Sequence, residues 1–141
     1  MASNTSYAPN KVTDFQANKL QYNATGVTAT IVAGTTTNID LAFTDDHLLT
    51  GFWLVGSGIN PGDKIALQAV DSSNIFGYGA GTVLKQFATN IYLPAVCAVQ
   101  FDVAYPAKVY AGLTLRVVYT STGTVNPEFA VNYKIHKIII T

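Results

Sequence analysis

Apolar residues in this chain recur at every second position and almost nowhere at the three-to-four spacing of a helix. Val27, Ala29 and Ile31 make one such row, followed by Ile39, Leu41 and Phe43, then Ile65, Leu67 and Ala69, then Leu113, Leu115, Val117 and Tyr119. Consecutive side chains of an extended strand point to opposite faces. Each row therefore gives one apolar face and one face carrying Thr, Asp, Gln or Arg, as a half-buried strand requires. Strong helix formers are scarce, Glu128 being the only glutamate, and β-branched residues lie throughout. The chain has to be built from strands.

Two further stretches are apolar on both faces: 48–55, around Phe52 and Trp53, and 92–105. Both read as central strands, with Trp53 in the core. The last row, 129–140, alternates Val131, Tyr133 and Ile135 against Asn132, Lys134 and His136, then ends in Ile138, Ile139 and Ile140. Turn-forming residues fall between the rows: Gly34, 44–46, 57–63 with its Asn60-Pro61-Gly62-Asp63, 72–81, Pro106 and 121–127. About eight short strands at this spacing make an all-β sandwich, for which the jelly roll is the eight-strand arrangement and an immunoglobulin-like sandwich the alternative. Residues 1–18 carry isolated Tyr7, Pro9, Val12 and Phe15 in a polar background, the pattern of an extended N-terminal arm ahead of one domain over 19–141.

Composition bounds the function. Hydrophobic residues make up 49% of the chain and charged residues only 11%, against about 25% charged in soluble proteins. A surface covered by Thr, Asn, Ser, Ala and Tyr suits a domain that partners partly cover. Eight basic residues are scattered among eight acidic ones, so the clustered Lys and Arg that nucleic-acid binding needs are missing. The polar start carries no apolar signal core and no run reaches the roughly 18 apolar residues of a membrane span, so neither secretion nor a membrane partner is expected and synthesis is expected in the cytoplasm.

Candidate chemistry gives way to plainer readings. Asp45, Asp46 and His47 hold the ingredients of a metal or acid–base site, but neighbours in a strand point apart and no further ligands stand at a workable spacing, so the triplet reads as a turn. His136 lies on the polar face of the last strand with no nucleophile motif anywhere, and reads as a surface or interface histidine. Gly77-Tyr78-Gly79-Ala80-Gly81 is followed by a strand pattern rather than the helix that phosphate loops need, and reads as a mobile loop exposing Tyr78. The single cysteine, Cys97, sits in the apolar row of Ala95, Val99, Phe101 and Val103, where a thiol acts as a small hydrophobe. No catalytic residue, cofactor or metal is expected. Exposed Tyr78, Tyr92, Tyr105 and Tyr110 suit a protein or a glycan interface equally.

Three stretches carry a resemblance: Gly-Ile-Asn-Pro-Gly-Asp-Lys-Ile at 58–65, Tyr-Pro-Ala-Lys-Val-Tyr-Ala-Gly-Leu-Thr-Leu-Arg-Val-Val-Tyr-Thr at 105–120, and Val-Asn-Tyr-Lys-Ile-His-Lys at 131–137. Together they resemble the jelly-roll capsid cement, or decoration, proteins of tailed bacteriophages. The resemblance implies a structural virion protein on the outer capsid surface, a dimer or trimer that bridges major capsid protein subunits and stiffens the shell. It carries no catalytic residues with it. A tail or fibre component and a glycan-binding module are the alternatives. The chain's own residues nominate the contacts: Tyr7, Pro9 and Phe15 in the arm, Tyr78 in the glycine-rich loop, and Ile138 and Ile140 at a C-terminal strand end that is apolar on both faces and carries no acidic residue after Glu128. A homo-oligomer would cover that end.

Overall fold

A computed structural model describes residues 20–138, with the side chains of 25–103, 105 and 107–137. Every regular element in that range is a strand: β1 (Leu20–Thr30), β2 (Thr36–Ala42), β3 (His47–Ser57), β4 (Lys64–Asp71), β5 (Thr82–Tyr92), β6 (Cys97–Val109), β7 (Thr114–Thr120) and β8 (Glu128–Ile138). They form two antiparallel four-stranded sheets, ordered β1-β8-β3-β6 and β2-β7-β4-β5. Successive strands alternate between the sheets except β4 and β5, which pair as a hairpin within the second one, and this order is the double Greek key of a jelly roll.

The alternating rows explain the packing. Inward-facing Leu49 and Leu54 of β3 and Val131, Tyr133 and Ile135 of β8 meet Ile39 of β2, Ile65 and Leu67 of β4 and Leu115, Val117 and Tyr119 of β7 in one buried cluster. Aromatic edges lock the two layers: Phe52 lies 6.1 Å from Phe87 and Tyr119 5.3 Å from Phe129 across them, while Phe52 also meets Tyr133 of its own sheet at 5.4 Å, all edge to face. Cys97 is buried among them, its thiol donating to the Leu54 carbonyl oxygen at 3.6 Å. Burial pushes that thiol's pKa up, which keeps it protonated and unreactive.

Three expectations are corrected. Trp53 is not in the core: it is 41% exposed on the outer face of its sheet, because past Gly51 β3 turns Phe52 and Leu54 inward and Trp53, Val55 and Ser57 outward. The stretch 92–105 is not one central strand. β5 ends at Tyr92, and β6 begins at Cys97 and runs along the edge of the other sheet. Pro106 therefore lies within a strand rather than in a turn, at an edge position where a missing amide is tolerated. The partner register there slips between Leu49 and Gly51, so that Leu49 opposes Ala107 while Gly51 opposes Asp102, a bulge in β6.

Candidate protein-contact surfaces

The connections gather at the two ends of the sandwich, and each end is fastened differently. At one end, Asn60-Pro61-Gly62-Asp63 makes a tight turn: the Asp63 amide donates to the Asn60 carbonyl at 3.0 Å and Gly62 takes φ +87. That is the type II geometry for which proline and glycine at the centre are suited. It aims the buried Asp63 carboxylate at β7 and the loop beyond it. Asp63 accepts from the Tyr119 hydroxyl at 2.7 Å, the Thr122 amide at 2.7 Å and the Asn60 amide at 3.1 Å. Burial by itself would raise its pKa, but those hydrogen bonds outweigh burial and hold it below the ordinary carboxylate value. The Tyr119 hydroxyl is pushed the other way, by burial and by Asp63. This buried carboxylate is a fastening, with every oxygen engaged and no open side for a substrate.

At the other end, three loops are tied together. The Phe43 amide donates to the Leu113 carbonyl at 2.9 Å, the Gly112 amide to the Phe43 carbonyl at 2.9 Å, and the Ala111 amide to the Asp46 carboxylate at 2.9 Å. Loop 72–81 joins them through Ser73, whose amide donates to the Gly112 carbonyl at 3.2 Å, and through Ser72, whose hydroxyl lies 2.7 Å from that of Thr114. Gly112 sits at φ +93, and a Cβ there would come within 2.8 Å of the Ile75 side chain, so only glycine lets the two loops approach. Asp71, buried at the end of β4, accepts from the amides of Ile75 at 2.8 Å and Phe76 at 3.0 Å. These bonds fix an apolar pair in the open: Ile75 is 45% exposed and Phe76 47%. The Phe76 ring lies 6.0 Å from that of Tyr110, edge to face, and the Lys108 ammonium caps Tyr110 at 4.8 Å. With Tyr78, 78% exposed in the same loop, they form an aromatic and aliphatic tip.

Two other surfaces are open. On the outer face of the β1-β8-β3-β6 sheet, Trp53 stands between Gln100 and Asn132, and Val55 between Ala98 and Ala130. Between edge strands β5 and β6 lies a cleft of about 550 Å³ lined by Phe52, Leu67, Phe87 and Phe101, with Lys85 and Asp102 also on its wall.

The candidate chemical residues are dispersed. Asp45 pairs with Lys137 at 3.3 Å, and Asp46 faces Lys108 at 3.9 Å. His47 keeps Nδ1 at 2.8 Å from the Asp45 carbonyl oxygen and its ring 5.0 Å from Phe43. Among the described residues, no three His, Cys, Asp or Glu side chains come together as metal ligands. No helix among them is long and apolar enough to cross a membrane. His136 is half-buried on β8, opposite Leu48 of β3.

Of the nominated contacts, Tyr78 is exposed at the tip. Ile138 closes β8, its backbone opposite Leu20. Tyr7, Pro9, Phe15 and Ile140 lie outside the described residues, as does the side chain of Ile138. Sequence reasoning missed Asp71, Ile75 and Phe76. The usable signal was an apolar pair inside a run of Ser, Asn and Gly, preceded by an aspartate placed to cap loop amides.

By strand order the chain belongs to the class of eight-stranded, all-β jelly-roll sandwiches. No family model matches it, and no curated protein gives a significant match. Among solved structures it is similar to the VP2 subviral particle of infectious bursal disease virus, at 10% identity and a TM-score of 0.42 over 88% of this chain and 38% of that one. It is similar also to an f-lectin (fucolectin) from the serum of the striped bass, Morone saxatilis, at 12% identity and a TM-score of 0.41 over 92% of this chain and 39% of that one. Both are β-sandwich proteins, one from a viral capsid and one a lectin. The chain spans little more than a third of the length of either.

Proposed function

We propose that this chain is a structural virion protein, without enzymatic activity, that binds the outer surface of an assembled bacteriophage capsid and bridges and stabilises major capsid protein subunits as a homo-oligomer. The observation that carries this reading is the tip. An apolar, aromatic cluster of Ile75, Phe76, Tyr78 and Tyr110 is held in the open by a buried carboxylate and by hydrogen bonds between three loops. Burying such groups is favourable only if something covers them, and a pre-fastened loop loses little entropy when covered. The low charge of the whole surface supports the same reading, as does the set of arm and C-terminal contacts nominated from the sequence.

The test is co-sedimentation of the purified chain with expanded shells and with unassembled capsid subunits of the source particle. Binding to shells alone, with density on the outer surface by electron microscopy, is the expected result. Binding to neither overturns the proposal.

A second reading has its own observation. The exposed face of Trp53, flanked by the amides of Gln100 and Asn132, is the combination on which a sugar ring stacks and hydrogen-bonds. A glycan-binding module would be retained by immobilised polysaccharide as an isolated domain and lose that retention with Trp53→Ala.

A further inference from the structure

Four strands end the two sheets: β1 and β6 in one, β2 and β5 in the other. An edge strand presents unpaired amides and carbonyls that invite another chain, and natural edges are blunted by charge, proline, bulges or short length. Three of these four are blunted. β6 carries Asp102, Pro106, Lys108 and a bulge. β5 carries Lys85, three register shifts against β4, and Asn90 in the left-handed region at φ +52. β2 has only seven residues, among them Asp40, bound to Arg116 at 2.8 Å. β1 has none of these devices. Its eleven residues, LQYNATGVTAT, include no charge and no proline, and they keep unbroken register against β8 from Leu20 opposite Ile138 to Thr30 opposite Glu128.

The ladder shows which groups of β1 are left over. The Ile31 amide donates to the Pro127 carbonyl at 2.8 Å, one step beyond the end of the strand. Hydrogen-bonded positions alternate along an antiparallel pair, so the odd-numbered residues of β1 bond to β8. Leu20, Tyr22, Ala24, Gly26, Thr28 and Thr30 turn their amides and carbonyls to the other edge, with which no strand among the described residues pairs.

We propose that this edge pairs antiparallel with the same edge of a second copy of the chain, across a two-fold axis at Thr25, joining two four-stranded sheets into one of eight. In that register each outward residue meets an outward residue, since their numbers sum to an even value: 20 with 30, 22 with 28, 24 with 26. Six such pairs exchange roughly twelve hydrogen bonds, within the ~10 ± 5 of a typical interface. The seam is about 37 Å long at ~3.4 Å per residue. No charge enters it from either copy, whereas pairing through β5 would carry two lysines into the seam and pairing through β6 two prolines. The axis stands perpendicular to the sheet, so the outer faces bearing Trp53 and Val55 come to lie on one side. The pairing supplies a subunit contact for the oligomer proposed above and rests on that part of the reading alone. Capsid binding can fail while it stands.

The test uses the full chain. Sedimentation velocity is expected to give a dimer. Thr28→Pro removes an outward amide without touching a bond to β8 and should weaken the dimer at least about tenfold. Thr28→Ala should leave it intact. Thr25→Cys keeps the edge amides and sets two thiols opposite each other at a non-hydrogen-bonded pair, about 4.5 Å between Cα atoms, within reach of a disulfide. Mild oxidation should therefore cross-link this variant into a covalent dimer, with buried Cys97 taking no part. A wild-type monomer at all concentrations overturns the proposal, and if its outward β1 amides resist hydrogen exchange the edge is covered by the chain's own remaining residues. A dimer that neither loosens with Thr28→Pro nor cross-links through Thr25→Cys overturns it as well.

Discussion

Two buried tyrosines of the same core separate what a hydroxyl contributes from what a ring contributes. The Tyr119 hydroxyl donates to Asp63 at 2.7 Å, whereas that of Tyr133 has no hydrogen-bond partner among the described residues. Removing the first leaves a buried carboxylate short of a donor. Tyr119→Phe should therefore cost about 1–2 kcal/mol, and Tyr133→Phe should be neutral or stabilising, because a desolvated hydroxyl is removed and the ring contact with Phe52 is kept. Paired thermal or denaturant unfolding measures both. Asp63 adds a pH dependence with a defined sign. Its folded-state pKa lies below the ordinary value of 3.8, so it binds a proton more readily in the unfolded chain. The stabilisation it contributes is complete above that ordinary value and is lost as pH falls through the lower, folded-state value. Asp63→Asn should be less stable at neutral pH and should show a shallower loss of stability on acidification. An unchanged acid limb in Asp63→Asn would assign the acid sensitivity to other carboxylates.

Strands report how much of this fold could be read from residues alone. Where one face is apolar and the other polar, as in 39–43, 65–69 and 113–119, the period of two placed both the strand and its buried face correctly. Where both faces are apolar the period carries no direction, and there the reading failed: Trp53 was assigned inward although β3 buries Phe52 and Leu54. Edge and centre were confused for the same reason, since β6 buries Cys97 and Val109 in the core as a central strand would, although it lies at the sheet edge, where Phe101 and Val103 line an open cleft. The tip was half legible. Glycines marked the loop and Tyr78 its exposure, but the ties from Asp71 to Ile75 and Phe76, and the approach of Gly112, exist only once β4 and β7 are neighbours. Adjacent residues of β3 test the facing directly. Leu54→Ala, wholly buried, should cost about 2–5 kcal/mol, depending on the cavity left, while Trp53→Ser should cost clearly less, because Trp53 stands on the outer face, 41% exposed, and its loss opens no cavity in the core. Equal losses at the two positions would mean that the outer face of this sheet is packed in the isolated chain.

At the scale of the molecule, a chain with 11% charged residues and no formal net charge leaves few long-range forces to guide association, so contact has to come from what the surface presents at short range. The tip offers apolar and aromatic groups, and Asp71 holds them before any partner arrives. This separates two contributions to docking that one substitution alone would merge. Phe76→Ser removes a contact group and should weaken shell binding by about 1–3 kcal/mol if the ring is buried there, the range of a moderate hot spot. Asp71→Asn keeps both Ile75 and Phe76 but weakens the grip on their amides. It should weaken binding by a smaller amount through the entropy of ordering a loosened loop, with little change in the contacts finally made. Phe76→Ser should not lower the melting temperature as far as a core truncation, because Phe76 lies outside the buried cluster. Salt supplies the control. Raising ionic strength from about 0.1 M to about 1 M shortens the screening length from ~10 Å to ~3 Å and abolishes steering by exposed charge. Docking through the tip should survive that change with affinity altered by less than about tenfold, since its apolar contacts do not depend on screening. A collapse of shell binding in high salt, with Phe76→Ser behaving as wild type, would move the contact from the tip to the scattered lysines and aspartates of the sandwich walls.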